Sequence, residues 1–184
     1  MALTETPICN FGEKAKNFNL KSTDNKKFSL NDIRGDNGTL IMFICNHCPY
    51  VKAVVKDIVD DVKFLDTLGI KSAAIMSNDV KNYPDDSFEN MISFSKLHNF
   101  SFPYLLDETQ KTAKEYGAVC TPDFFGYNKN LELQYRGRIR ELKNLKPVRQ
   151  GESDLKKAME MVAKSGKGPS NQIPSMGCSI KWFK

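Results

Sequence analysis

The sequence predicts an α/β protein with a mixed central sheet and helices on both faces. Three observations carry this. A short apolar run, Leu40-Ile41-Met42-Phe43-Ile44, is bounded by Gly38 and reads as a strand buried on both faces. The stretch behind it places apolar residues at Val51, Val54, Val55, Ile58, Val62 and Leu65, the helical period of a single apolar stripe, and stops at Gly69. Strand-like and helix-like segments then alternate along the chain, and a terminal hairpin adds an antiparallel pair.

In chain order, residues 1–17 read as an irregular lead-in. Phe18-Asn19-Leu20 and Lys27-Phe28-Ser29 alternate around Thr23-Asp24-Asn25, which predicts an extra N-terminal β-hairpin. Ser29 to Gly35 is a short turn or helix leading into the central strand at 39–45, and the long helix follows at about 50–68. A second buried strand runs from Ile70 to Met76. After a polar loop, Asp86 followed by Glu89 resembles a capping box for a helix whose stripe is Phe88, Met91, Ile92 and Leu97. Phe102 to Leu106 is a short strand, and Asp107 with Gln110 opens a helix that stops near Gly117. Thr121 to Tyr127 and Leu131 to Arg136 flank Asn128-Lys129-Asn130 as a second hairpin. Leu155, Ala158, Met159 and Val162 mark a last helix ending at Gly166. With no repeat and no linker, residues 1–184 are expected to form one domain. The tail, 167–184, is expected to dock on it, because Trp182 and Phe183 are costly to leave in water.

Composition removes several function classes. Hydrophobic residues make up 40%, and no stretch approaches the length of a membrane-spanning helix. Residues 1–18 have no apolar core of a secretory signal, so a cytoplasmic protein is expected. The net charge of +5 is scattered among acidic residues, which argues against nucleic acid as a partner. The five cysteines, Cys9, Cys45, Cys48, Cys120 and Cys178, cannot all pair within one chain. In a reducing compartment a structural disulfide framework is not expected, which leaves redox chemistry or metal binding for the close pair.

That pair is Cys45-Asn46-His47-Cys48, set at the junction of the apolar strand and the amphipathic helix. Unpaired N–H groups and the helix dipole stabilise a thiolate there, and the thiolate is the attacking form. Two intervening residues let one sulfur reach the other, giving an internal disulfide and a reduced partner. His47, when protonated, favours the thiolate further. A metal site using Cys45, His47, Cys48 and Cys120 is the main competing use of these residues, but a second ligand pair at regular spacing is missing, so no metal is expected.

A buried strand, a Cys-x-x-Cys pair and a long helix resemble the thioredoxin fold. Cys120-Thr121-Pro122-Asp123-Phe124-Phe125 resembles its cis-proline loop. That resemblance implies a cis Thr121–Pro122 bond and makes Thr121 and Pro122 the residues that hold the substrate backbone. The match extends further. Phe43 to Lys52, Asp107 to Gln110, Tyr116 to Phe125, Tyr135 to Arg138 and Gly177 to Trp182 resemble a peroxiredoxin-like branch, the alkyl hydroperoxide reductase/thiol-specific antioxidant (redoxin) family. Two departures bear on activity. In the peroxiredoxin pattern Pro-x-x-x-Thr-x-x-Cys the cysteine falls on Cys48, but Ile41 replaces the proline and Cys45 the threonine. In the thioredoxin pattern, Ile44 replaces the tryptophan before the first cysteine and Thr39 the buried acid, so the proton acceptor for the second thiol is unassigned.

The expected function is thiol–disulfide oxidoreduction. Cys45, taken as nearest the helix start and more exposed, attacks; Cys48 resolves; His47 tunes the potential. No organic cofactor is called for, because the electrons reside on the sulfurs. A protein or small-molecule disulfide is the substrate, an external thiol reductant recycles the pair, and the superfamily allows an oligomer. Two alternatives stand beside it: a thiol peroxidase acting through Cys48, and a non-catalytic metal or protein binder. Cys120 and Cys178 are possible additional redox thiols. For Cys120 a buried core role is favoured. Docking beside the pair would make Cys178 a resolving thiol, and docking elsewhere, the favoured reading, a structural one. Cys9 reads as incidental; Arg136 and Arg138 read as solvated, with stabilisation of a thiolate or peroxide anion from a neighbouring strand as the alternative.

Overall fold

The computed structural model describes residues 3–7 and 11–184, so Cys9 lies outside the described residues. The elements run β1 (Leu3–Glu5), β2 (Asn19–Ser22), β3 (Lys27–Ser29), β4 (Gly38–Phe43), α1 (Pro49–Thr67), β5 (Ile70–Met76), a 3₁₀ turn (Pro84–Asp86), α2 (Phe88–Leu97), β6 (Tyr104–Leu106), α3 (Lys111–Tyr116), β7 (Cys120–Thr121), β8 (Asp123–Asn128), β9 (Leu133–Tyr135), β10 (Leu142–Lys143), β11 (Lys146–Pro147), α4 (Asp154–Ser165) and β12 (Met176–Ser179).

The main sheet has the order β3-β2-β6-β5-β4-β8-β9. The pairs β4–β5 and β5–β6 are parallel, and the remaining pairs are antiparallel. All six residues of β4 are buried, which explains its unbroken apolar run. Its side chains alternate between two cores. Leu40 and Met42 pack with the stripes of α1, α2 and α4; Ile41 and Phe43 pack with α3, Phe18, Leu30 and Ile33. Helices therefore cover both faces, as the mixed α/β reading requires.

Three differences from the sequence reading matter for the site. Asp86 does not cap α2; Ser87 does, its Oγ accepting from the Asn90 N–H at 3.3 Å. Asp86 instead ends the preceding 3₁₀ turn and is fully buried. The lead-in contains a strand, β1, which pairs with β12 of the tail. The tail does dock, but through β12 rather than through its aromatics: β12 lies between β1 and β7, whereas Trp182 and Phe183 remain 37% and 49% exposed. A strand so placed satisfies backbone groups along both edges, which anchors it whatever its side chains do. Among the described residues no helix is long and apolar enough to cross a membrane.

Candidate active site

Helix α1 begins at Pro49, with Cys48 as its N-cap. Proline suits this first helical position, because its missing N–H would have had no partner there. The sequence reading put Cys45 nearest the helix start and more exposed; the structure makes Cys48 the nearer and leaves neither exposed. Cys45 lies in the loop after β4, and the two residues are 1% and 0% exposed. The first turn of α1 has no acidic side chain, so its positive end is free to act on the Cys48 sulfur.

The two thiols are driven apart in acidity. Cys48 is lowered to about 5, chiefly by a hydrogen bond from the Cys45 thiol, against the cost of burial, with help from the Cys178 thiol and the Val51 backbone N–H. Cys45 moves well upward: it donates to Cys48, it is desolvated, and the Asp86 carboxylate opposes its ionisation. Thr121 links both, with its Oγ1 3.3 Å from Cys45 Sγ and its carbonyl 3.1 Å from Cys48 Sγ. The Thr121–Pro122 bond is cis, as the resemblance implied. Beside it opens a groove whose walls include Tyr50, Val54, Pro122, Ile139 and Met176.

Asp86 is the site residue that sequence reasoning misassigned. Its carboxylate accepts from the Asn46 N–H at 2.8 Å and from Asn78 Nδ2 at 2.8 Å, and lies 2.6 Å from His47 Nδ1. Burial pushes Asp86 up, but the His47, Asn78 and Asn46 hydrogen bonds prevail and hold it below its ordinary value. His47 is raised by the same contact. Thr39 stands where a thioredoxin has its buried acid; Asp86 brings a buried acid to the thiols from a different element. The Asp–x–x–Glu spacing pointed to a cap instead, and only the fold carries this carboxylate across roughly 40 residues to Asn46 and His47.

Cys45, His47 and Asp86 offer donor atoms within 4.8 Å of one another, but His47 and Asp86 already satisfy each other through the 2.6 Å contact. Cys120, the other ligand considered for a metal, turns its thiol toward the Pro122 carbonyl at 3.6 Å and is fully buried, as its core reading expects. Cys178 stands opposite Thr121 on β12, in the same buried cluster as the pair and against the favoured structural reading. Arg136 is not solvated: it is 8% exposed and paired with Asp123 at 2.9 Å. Arg138 pairs with Asp154 at 2.8 Å, so neither arginine serves the sulfurs.

The ion pair at His47 has a direct spectroscopic consequence. The chain has two histidines, and burial lowers His98 while Asp86 raises His47. Proton NMR titration should therefore show two separated histidine transitions, one on each side of the ordinary imidazole value of about 6.5. Asp86→Asn should move the upper transition down and leave the lower one in place. An unmoved upper transition would remove Asp86 as its cause.

The chain matches the AhpC/TSA family over residues 11–142. It belongs to that family. An uncharacterised conserved protein from Geobacillus kaustophilus is 38% identical, with a TM-score of 0.94, over 100% of this chain and 97% of that one. A hypothetical protein from Sinorhizobium meliloti 1021 is 32% identical, with a TM-score of 0.90, over 98% of each chain. A putative protein disulfide isomerase from Bacteroides thetaiotaomicron shares the thioredoxin-like fold at 18% identity and a TM-score of 0.59, over 75% of this chain and 83% of that one. No curated protein sequence matches this chain. Family and fold together make it a thioredoxin-like redoxin.

Proposed function

We propose that this redoxin is a thiol–disulfide oxidoreductase in which Cys48 is the attacking thiolate and Cys45 the resolving thiol. The observation that carries the reading is the place of Cys48 as N-cap of α1, where the helix-end N–H groups and dipole favour its thiolate, with Cys45 three residues earlier against the same Thr121; the opposed shifts of the two thiols agree with it. Cys48 attacks one sulfur of a substrate disulfide, forming a mixed disulfide and expelling the other sulfur as a thiolate. Cys45 then gives up its proton and attacks the Cys48 sulfur. A Cys45–Cys48 disulfide forms, and the second substrate thiolate leaves. The substrate loses its disulfide by gaining two electrons, and an external thiol reductant returns the pair to the dithiol. The Cys45 proton passes to the substrate thiolate expelled in the first step, while protonated His47, its Nδ1 3.9 Å from Cys45 Sγ and paired with Asp86, favours the Cys45 anion as it forms. Thr121, Pro122 and the adjoining groove hold the substrate chain.

The test is the equilibrium of the pair with reduced and oxidised glutathione, read by mass spectrometry of alkylated thiols. A reversible Cys45–Cys48 disulfide more oxidising than about −270 mV is expected, because a stabilised thiolate favours the reduced form. No internal disulfide between these two residues would overturn the reading.

Family membership and the lone thiolate at a helix start favour a second reading, thiol peroxidase. Cys48 would then attack a peroxide oxygen, becoming a sulfenic acid as the alcohol or water leaves. Dimedone trapping on Cys48 of Cys45→Ser/Cys178→Ser at modest peroxide would support it; no adduct would remove it.

A further inference from the structure

We propose that Cys178 is a third redox-active thiol of the site, exchanging with Cys45 for the Cys48 sulfur. This rests on the exchange reading above and adds a partner to it. Strand β12 pairs antiparallel with β7, and Cys178 stands directly opposite Thr121. Paired residues of antiparallel strands put their side chains on one face, with Cβ atoms about 5 Å apart. The Thr121 side chain on that face touches Cys45 at 3.3 Å, and its carbonyl touches Cys48 at 3.1 Å. Cys178 is thus carried onto the pair by strand register. Cys45, Cys48 and Cys178 belong to one buried cluster. Cys120 is opposite Ser179, on the alternate face.

Two details show how closely β12 is seated. A Cβ at Gly177 would run into the Thr121 carbonyl and lie 3.1 Å from Pro122 N. Beyond Cys178, the Lys181 backbone N–H donates to Asn78 Oδ1 at 2.8 Å, and its carbonyl accepts from Asp79 N at 2.8 Å and Gln110 Nε2 at 2.7 Å. Asn78 also holds Asp86, so the tail is fastened to the frame that holds the Cys45–Cys48 loop.

The exchange needs no outside oxidant. Starting from the Cys45–Cys48 disulfide, the Cys178 sulfur attacks Cys48. The Cys48–Cys178 bond forms, the Cys45–Cys48 bond breaks, and the proton of Cys178 ends on Cys45. No net oxidation occurs; one disulfide changes partner. The Cys178 thiol is pushed up to about 12 by burial and then by the Cys48 thiolate. Once Cys48 is part of a disulfide its charge is gone, so the second cause disappears when Cys178 must react.

The test uses the full chain. Wild type, Cys45→Ser and the double variant Cys45→Ser/Cys178→Ser are equilibrated with oxidised glutathione, acid-quenched, alkylated and digested without reduction. Cross-linked peptides are then identified by mass spectrometry. Cys45→Ser should give a Cys48–Cys178 cross-link. It should retain at least about tenfold less glutathione on Cys48 than the double variant, because an intramolecular thiol acts at high effective concentration. Equal glutathione on Cys48 in both variants, with no Cys48–Cys178 peptide, would overturn the proposal. Should the double variant fail to fold, as judged by near-ultraviolet circular dichroism, the cross-link in Cys45→Ser alone decides. Loss of the Cys45–Cys48 disulfide from wild type would instead strike the exchange reading, a separate result from the same digest.

Discussion

Cys48→Ser is expected to abolish disulfide exchange, by on the order of 10³-fold or more, because a hydroxyl at this position provides no thiolate. That is about 4 kcal/mol of transition-state stabilisation. Cys45→Ser should behave differently: the first attack survives, and the enzyme stalls as a mixed disulfide with its substrate on Cys48. Single-turnover assays with intact-mass detection separate the two outcomes. A Cys48→Ser enzyme that traps substrate on Cys45 would reverse the assigned roles. The pH dependence follows in sign. Cys48 is lowered to about 5, so its reactive form accumulates as pH rises through about 5 and is nearly complete at neutrality. A thiol with the ordinary value of 9.0 would be almost wholly protonated there. Thiolate ultraviolet absorbance in Cys178→Ala should show the transition at higher pH, since the thiol that helps lower Cys48 is removed. Cys45→Ala should shift it upward too, because the thiol that contributes most to lowering Cys48 is then gone.

Arg136→Ala is expected to cost about 3–5 kcal/mol of stability, the usual penalty for orphaning a buried charge. Asp123, fully buried, receives Arg136 Nη2 at 2.9 Å, and the same guanidinium reaches the Gly117 carbonyl at 2.7 Å and lies 4.4 Å from the Phe125 ring centre. Asp123 directly follows the cis peptide, so this pair braces the loop that touches both cysteines. Burial already raises Asp123 to about 6 despite the arginine. A raised carboxyl binds more protons in the folded chain than in the unfolded one. Its contribution to stability is therefore largest at low pH and declines as pH rises through the folded value. Removing Arg136 raises Asp123 further, so the penalty should be smaller near pH 5 than near pH 8, a comparison urea denaturation can make. Asp123→Asn combined with Arg136→Met should recover much of the loss, since no bare charge remains. A penalty independent of pH would show that the ring contact, not the charge, dominates.

Much of the fold was legible because its signals are local. The unbroken apolar run of β4, the single stripe of α1 and the stripe of α4 each follow from burial on two faces or one. The Cys-x-x-Cys pair at a strand-to-helix junction was equally legible, and with it the redox chemistry. The assignments that failed concern contacts between distant segments. Asp86 looked like a cap because its spacing to Glu89 is local, whereas its real partners lie about 40 residues earlier. Arg136 looked solvated because nothing in a hairpin sequence shows that an aspartate 13 residues away is buried against it.

By itself, then, the sequence determined the order of elements, the strand–Cys-x-x-Cys–helix unit and the membership of Thr121 and Pro122 in the loop after α3. Only the tertiary structure decided which cysteine caps α1, what stands beside it and where the tail goes. The reason is physical. A thiol's acidity is the difference between burial and the hydrogen bonds offered to its anion. At Cys48 those come from the helix start, from Cys45 and from Cys178, the last 130 residues away in sequence and brought there by the register of β12 on β7.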